Sequence, residues 1–530
     1  MKENKEQKQL AKNAGKTASG TVFSRILGYL RDMLVANLFG AGMFADAFYA
    51  AFRIPNLFRR LLGEGSFSAA FIPVFSQYLH TKEKSETQKF LNAVFTALSL
   101  ILAAVCVLGM FFAPALVKII AWGFTDDPEK LRLTVELTRL MFPFIVFICL
   151  AAFLLAALNT LQCFFLPALA PSALSFSEIV YMLALAPVLI AGNQIKGLAL
   201  SVIAGGALHF IIQYPEFKNL GWHLKFSLDL KHPGIKKIVF LMIPSLIGLS
   251  AEQINSFVDT VCASFLAGGS ITALYYSNRV MQLPLAIFGL AFASASLPAM
   301  SKAYAHKDMD TLKDSLNYSI RSTVFILLPA AAGLMAIGLP IVRLLFERGK
   351  FDFAASLMTN RALFYYSLGL PAYAMAKIFA NAFYAFQDTK TPVITAVWAM
   401  LLHVVLCVLL MYPLGVGGLA LATALASYFN VFLLILYLKK RIGGLGLKKI
   451  AFSGAKSTAA AAAAGISAWY VCGISENVFI SVPAAIAAGV FAFFAVSKLS
   501  GSQELDSVLK IFKDRKSTRL NSSTRTYLVC

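Results

Sequence analysis

Charge is scarce in this sequence, and acidic charge scarcest. Only 14% of the 530 residues are charged, with 26 Asp and Glu set against 47 Lys and Arg. An ordinary soluble enzyme carries nearer a quarter charged residues, so that class is excluded. Asp126 and Asp127 form the one DD pair, with no second acidic motif to help hold Mg²⁺. The six histidines, at 80, 209, 223, 232, 306 and 403, are dispersed, and no Ser/His/Asp or Cys/His set can be assembled around them. Seven cysteines fall singly, most of them in or beside apolar segments and none in a C-x-x-C pair. They read as small buried hydrophobes, not as disulfides or zinc ligands, and no firm metal site is expected. No G-x-x-x-x-G-K-[ST] loop is present, which argues against ATP hydrolysis. The lysine-rich segment 1–16 is not followed by a short apolar core with a small-residue cleavage site, so no removable signal peptide is expected.

Apolar sequence is abundant: 58% of residues are hydrophobic. A membrane span needs about 20 largely apolar residues, and marking such stretches gives about fourteen candidates. The expected class is an all-α polytopic membrane protein. Its net charge of +21 resides largely in lysines of alternate loops, while the opposite loops hold Asp126, Asp127 and Glu129 or almost nothing. That bias places both termini in the cytoplasm and makes nucleic acid an unneeded partner, with Arg343, Arg348 and Lys350 as an exception on the outer side. The chain also repeats itself. Pro73, Pro114, Pro143 and Pro167 correspond to Pro298, Pro340, Pro371 and Pro392 at offsets of 225 to 228 residues. Two lobes of six helices related by a pseudo-two-fold axis along the membrane normal follow from such a repeat. The boundaries are 17–214 for the first lobe, 215–235 for a cytoplasmic linker and 236–438 for the second lobe. Two extra helices fill 450–497.

Polar residues inside the spans form stripes. Arg25 and Asp32 are seven apart and share a helix face, with Gly28 between them. Asp46, Arg53 and Arg60 follow each other at the same spacing, next to Arg31 and Arg59, and Pro55, Gly63 and Gly65 mark a hinge in the second span. On later spans Glu252, Asn255, Ser256 and Asp259 line up, as do Tyr275, Asn278, Arg279 and Gln282, and Lys377, Asn381, Tyr384 and Asp388. Arginine at bilayer depth costs on the order of 2.5–3.5 kcal/mol and persists beside a partner or a watery cavity. Six arginines against Asp32, Asp46 and Glu64 leave a surplus that calls for an outside anion, and the guanidinium fork suits phosphate. The alternatives are salt bridges within the bundle, Asp46 with Arg53 and Asp32 with a nearby arginine, or Arg59 and Arg60 reaching headgroups. Glu252, Asn255, Asp259 and Asp388 are candidates for holding Na⁺ or a proton, against plain helix–helix hydrogen bonding.

The stretch SRILGYLRDMLVANLFGAGMFADAFYAAFRIPNLFRRLLGEGSFSAAFIPVF, with FLAGGSITALYYSNRVMQLPLAIFGLAFASASLPAMS and FYAFQDTKTP, closely resembles the MurJ (MviN) lipid II flippases. These belong to the multidrug/oligosaccharidyl-lipid/polysaccharide exporter superfamily, and the likeness runs to about Lys513. It implies a cationic central cavity built by Arg25, Arg31, Arg53, Arg59, Arg60 and Arg279, with Asp46 a functionally sensitive acid. It further implies alternating-access transfer of undecaprenyl-pyrophosphate-disaccharide-pentapeptide from the inner to the outer leaflet of the bacterial cytoplasmic membrane. The helices of 450–497 would supply a groove for the lipid tail. Asn278 and Gln282 stand where some relatives carry acids, which leaves Arg279 less neutralised. No organic cofactor is implied; the driving force would be Na⁺, H⁺ or the membrane potential. Membrane lipids and other cell-wall synthesis proteins are the expected partners of a monomer. The rival functions are export of another polyprenyl-pyrophosphate-linked oligosaccharide, or a membrane enzyme or scaffold without transport. Segment 514–530, with DRKSTRLNSS, looks like a translated sequencing adapter and is set apart.

Overall fold

The structure is a computed structural model that describes residues 2–505. Segment 514–530 and the side chains of 2–19, 61–64, 191–192, 244–245, 247–252, 290 and 447–448 lie outside that description, and with them the side chain of Glu252. Every regular element among the described residues is helical. Among the described residues eight helices are long and apolar enough to cross a membrane by length and composition, so the chain is a multi-span helical membrane protein. The figure of fourteen spans stays an expectation, because the other segments are polar-speckled or interrupted.

Two compact units divide the chain. The first runs to Ala273 and takes in Phe346–Ala355; the second holds Leu274–Leu345 and resumes at Ser356. The first contains α1 (Lys2–Phe39), α2 (Met43–Phe58), α3 (Phe67–Thr81), α4 (Lys84–Phe111), α5 (Ala113–Ile120), α6 (Pro128–Met141), α7 (Phe144–Thr160), α8 (Phe165–Leu169), α9 (Ser172–Val180), α10 (Ala191–Asn219) and α11 (Pro233–Ser264). Helix α11 packs on α3, α4 and the turn preceding α3, so the first unit extends past the linker at which the first lobe was expected to end. Helix α12 (Ser270–Pro284) leads into the second unit. There follow α13 (Leu290–Ala305), α14 (Met309–Phe346), α15 (Phe353–Leu368), α16 (Leu370–Ala385), α17 (Lys390–Leu414), α18 (Val416–Ile442), α19 (Leu447–Cys472) and α20 (Val478–Leu499).

Prolines stand at matching helix defects in the two halves of the sequence, although the pair Pro73 and Pro298 lies inside α3 and α13. Between α2 and α3 the helix widens to π geometry over Arg59–Ser66, and between α12 and α13 it does so over Leu285–Gly289. Pro55 precedes the first widening and Pro284 the second, each unable to donate the helical hydrogen bond of its turn. Pro114 opens α5 after the break at Phe112, and Pro340 follows the non-helical Ile337 inside α14. Pro143 and Pro371 each stand at a joint between two short helices.

Packing in the second unit centres on Met300, Leu316, Phe379, Phe383 and Leu438. Helices α19 and α20 attach to α14 through Phe325 and Phe493, whose ring centroids are 4.8 Å apart. A polar strap reinforces that contact: Arg321 Nε donates to Glu504 Oε1 at 2.6 Å, and Ser453 Oγ donates to the same oxygen at 2.7 Å. Burial alone would raise the Glu504 carboxyl, but the hydrogen bonds from Ser453, Ser502 and Arg321 hold it below the usual range. Four of the six described cysteines are buried, as their apolar surroundings predicted.

Close helix approach in the first unit depends on Gly109 of α4, where an added Cβ would lie 1.9 Å from Phe142 Cε1. Gly109→Ala is expected to cost about 1–3 kcal/mol through overpacking. The readout is a lower midpoint of thermal unfolding in detergent. Gly454→Ala, where the added carbon meets open space, should leave that midpoint unchanged or slightly raised.

Candidate functional site

Asp46 opens α2 and is 1% exposed. A carboxylate that deep is tolerable only with donors around it. Its Oδ2 accepts from Lys130 Nζ at 2.9 Å and from the Gly269 amide at 2.7 Å. Its Oδ1 accepts from the Thr272 amide at 3.0 Å and from Thr272 Oγ1 at 2.7 Å. Lys130 also lies over the Phe124 ring at 4.1 Å. This set ties α2 to α6 and to the turn that enters α12. The left-handed φ of +91° at Gly269, with Ala41 O 2.7 Å from the position of an added Cβ, keeps that turn close to the start of α2.

Asp32 is likewise fully buried. Arg31 Nε and Nη2 donate to its Oδ1 at 3.0 and 2.6 Å, and Arg31 Nη1 stands 3.7 Å from Glu178 Oε1 on α9. The nearby-arginine pairing expected for Asp32 is thus made by its direct neighbour and not by Arg25, which is exposed. The pairing expected between Asp46 and Arg53 is replaced by Asp46 with Lys130. Seven residues along a helix put two side chains roughly 10 Å apart, and donors from α6 and the α12 entry reach the carboxylate more closely.

The arginines of the second span turn elsewhere. Arg53 Nε donates to Thr260 Oγ1 of α11 at 2.9 Å. Arg59 forks onto Asn56 Oδ1 through Nε and Nη2, at 3.0 and 2.9 Å. Arg53, Arg59 and Arg60 are all half-buried, and Arg59 and Arg60 open the π-helical turn that contains Gly63 and Gly65, next to the expected hinge at Pro55. Arg279 lies in the second unit, on α12, also half-buried.

The acidic candidates for ion coupling separate. Asn255 and Asp259 sit half-buried on α11, and Asn255 Oδ1 is buried with no hydrogen-bond partner among the described residues. Asp388 lies outside the stripe, because α16 ends at Ala385 and Gln387 turns the chain at a φ of +59°. It caps the start of α17, accepting from the Thr391 amide and hydroxyl at 3.0 and 2.8 Å, and pairs with Arg441 Nη1 at 2.7 Å. Burial opposes its charge, but these donors win and hold its carboxyl below the usual range.

Sequence reasoning missed Lys130, Glu178, Thr260 and Thr272. Glu178 had a signal, an acid inside an expected span. Lys130 was hidden by its place just after Asp127 and Pro128, where a lysine reads as loop charge.

Comparison with known proteins decides the family. The family model described as "Lipid II flippase MurJ" matches residues 35–487. The chain belongs to the MurJ lipid II flippase family. A lipid II flippase MurJ of Burkholderia cenocepacia is 36% identical over 430 residues, 80% of this chain and 83% of the relative. A probable lipid II flippase MurJ of Vibrio cholerae is 34% identical over 510 residues, 93% of this chain and 97% of the relative. A solved lipid II flippase MurJ in an inward closed conformation superposes with a TM-score of 0.79 at 28% identity, covering 91% of this chain and 98% of that one. An inward-facing MATE family transporter of the MOP superfamily shares the fold at 15% identity, with a TM-score of 0.66 and coverage of 80% and 95%. Family membership makes the chain a transporter, not an enzyme. Arg25, Arg31 and Asp32 precede the residues matched by the family model, whereas Asp46, Arg53 and Lys130 lie within them.

The buried pair at Asp46 invites a double-mutant test. Lys130→Met leaves a carboxylate without its counter-charge and should cost about 3–5 kcal/mol of stability. The double variant Asp46→Asn with Lys130→Met should regain much of that loss, measured by thermal unfolding in detergent.

Proposed function

We propose that the chain transfers lipid II, a polyprenyl-pyrophosphate-linked disaccharide-pentapeptide, across the bacterial cytoplasmic membrane by alternating access. The observation that carries this reading is the allocation of the buried acids. Asp32 pairs with Arg31 and Asp46 with Lys130, and Arg53 and Arg59 count Thr260 and Asn56 among their partners. By count, the five arginines of the first two spans together with Arg279 exceed Asp32, Asp46 and Glu64, and that excess is the cationic surplus. A pyrophosphate supplies the missing charge and accepts several guanidinium hydrogen bonds at once. Arg25, Arg31, Arg53, Arg59, Arg60 and Arg279 are the residues assigned to hold it.

The wide turn over Arg59–Ser66 gives the second span a place to bend, since π geometry leaves the backbone hydrogen bonds less well satisfied than an α-helix does. Helices α19 and α20, fixed to α14, are assigned to guide the polyprenyl tail. Net cavity charge couples the cycle to membrane potential at about 2.3 kcal/mol per charge per 100 mV. Na⁺ or H⁺ at Asn255 and Asp259 is the other proposed source of drive. The chain is assigned as a monomer with both termini in the cytoplasm, meeting other cell-wall synthesis proteins only as partners.

Complementation of a flippase-depleted bacterium tests the reading. Wild-type protein should restore growth, and Arg25→Ala, Arg31→Ala and Arg279→Ala should each weaken or abolish rescue at equal expression. Full rescue by all three single variants would overturn pyrophosphate capture.

A further inference from the structure

The linker between α10 and α11 has a regular alternation that lipid-headgroup transfer does not use. Trp222, Leu224, Phe226, Leu228 and Leu230 alternate with His223, Lys225, Ser227, Asp229 and Lys231. Such a pattern belongs to an extended segment with one apolar face, yet no strand lies among the described residues to pair with it. Its hydrogen-bond partner is instead a helix. Gln88, Asn92 and Thr96 stand one turn apart on α4. Gln88 Oε1 accepts from the His223 amide at 3.2 Å, Asn92 Oδ1 from the Lys225 amide at 3.1 Å and Thr96 Oγ1 from the Ser227 amide at 2.9 Å.

This ladder sets both the direction and the depth of the linker. Eight residues of α4 carry it about 12 Å along the helix axis, away from the polar N-terminal turn and into the apolar span. Trp222 is buried beside Phe75 at the start, whereas Phe226 is 75% exposed and Leu228 98% exposed at the tip. The far end is pinned as well: His232 Nδ1 accepts from the Gly234 amide at 3.2 Å, and its ring packs on Tyr78 and Phe90. With both ends held, the tip keeps one ring contact, Phe226 on Phe95 of α4 with centroids 5.3 Å apart, and leaves most of its apolar surface exposed. One turn beyond Thr96, α4 shows its own exposed apolar row at Leu100 and Ile101, which in a membrane protein faces acyl chains. Exposed Lys225, Lys231 and Lys236 border the tip.

We propose that this linker is a membrane anchor. Phe226, Leu228 and Leu230 insert into the phospholipid leaflet at the N-terminal end of α4, and the bordering lysines meet anionic headgroups. Two observations select lipid over a soluble protein partner: continuity with the lipid-facing row of α4, and the basic border that suits an anionic surface. Asp229 keeps the insertion shallow, at the boundary of headgroups and acyl chains. The anchor ties the segment joining α10 to α11 to the plane of that leaflet while the helices move.

Leu228→Trp in the full chain supplies the probe, since a tryptophan at so exposed a position disturbs no packing. The protein is reconstituted into vesicles of phosphatidylethanolamine and phosphatidylglycerol, with or without dibrominated acyl chains. Emission of the unsubstituted protein, with its four tryptophans, is subtracted. The expected result is blue-shifted added emission that is roughly halved by brominated lipid and shielded from aqueous iodide, as an interfacial depth of about 5–10 Å requires. Added emission that iodide quenches and brominated lipid does not would overturn the proposal and leave the tip to water or to a soluble partner.

Discussion

A carboxylate buried in an apolar bundle has to be surrounded by donors, and Asp46 shows how much structure that requirement organises. Its two oxygens draw on a lysine of α6, two backbone amides and a hydroxyl at the entry to α12. Removing any one donor leaves charge exposed to a medium of low dielectric, so the four are mutually dependent. The set fixes where α2 begins, where α6 lies and how the chain turns at Gly269. It also removes Asp46 from competition for the arginines. Asp32 repeats the logic on α1, taking Arg31 between itself and Glu178.

The consequence is a structural task for two of the cations. Lys130 and Arg31 neutralise buried acids and hold helices together, and Arg53 and Arg59 count the neutral oxygens of Thr260 and Asn56 among their partners. Arg53 lies in the α-helix before the π-helical turn, and the turn begins at Arg59, so Arg59 stands on the least regular part of its span. Alternating access needs such a place, because a regular helix bends only where its hydrogen bonds are already weak.

The all-helical architecture and the internal repeat were legible in the sequence because both are written in long-range features, apolar run length and proline position. Three of the four proline pairs stand at a helix start, joint or kink, whereas Pro73 and Pro298 lie inside α3 and α13. The extent of the first unit was not legible. Helix α11 follows the polar linker and so reads as the first helix of a second lobe, but its packing against α3 and α4 is a tertiary fact with no signature in its own residues. The same limit applied to the site. Helical spacing correctly singled out Asp32 and Asp46 as residues needing partners, yet spacing describes one helix at a time. The partners Lys130 and Thr272 arrive from sequence separations of 84 and 226 residues, beyond any periodicity. Asp388 shows the reverse case, where a seven- or four-residue rhythm continued on paper past the point at which the helix stops.

The most direct measurement is binding of lipid II to the purified protein in detergent, followed by native mass spectrometry and competed with inorganic pyrophosphate. If the arginines hold a pyrophosphate, pyrophosphate should displace the lipid, an uncharged polyprenol should not, and Arg25→Ala and Arg60→Ala should each weaken binding by about tenfold or more, the loss of one charge-assisted contact. Lipid binding that pyrophosphate leaves untouched, and that an uncharged polyprenol displaces equally well, would contradict the account.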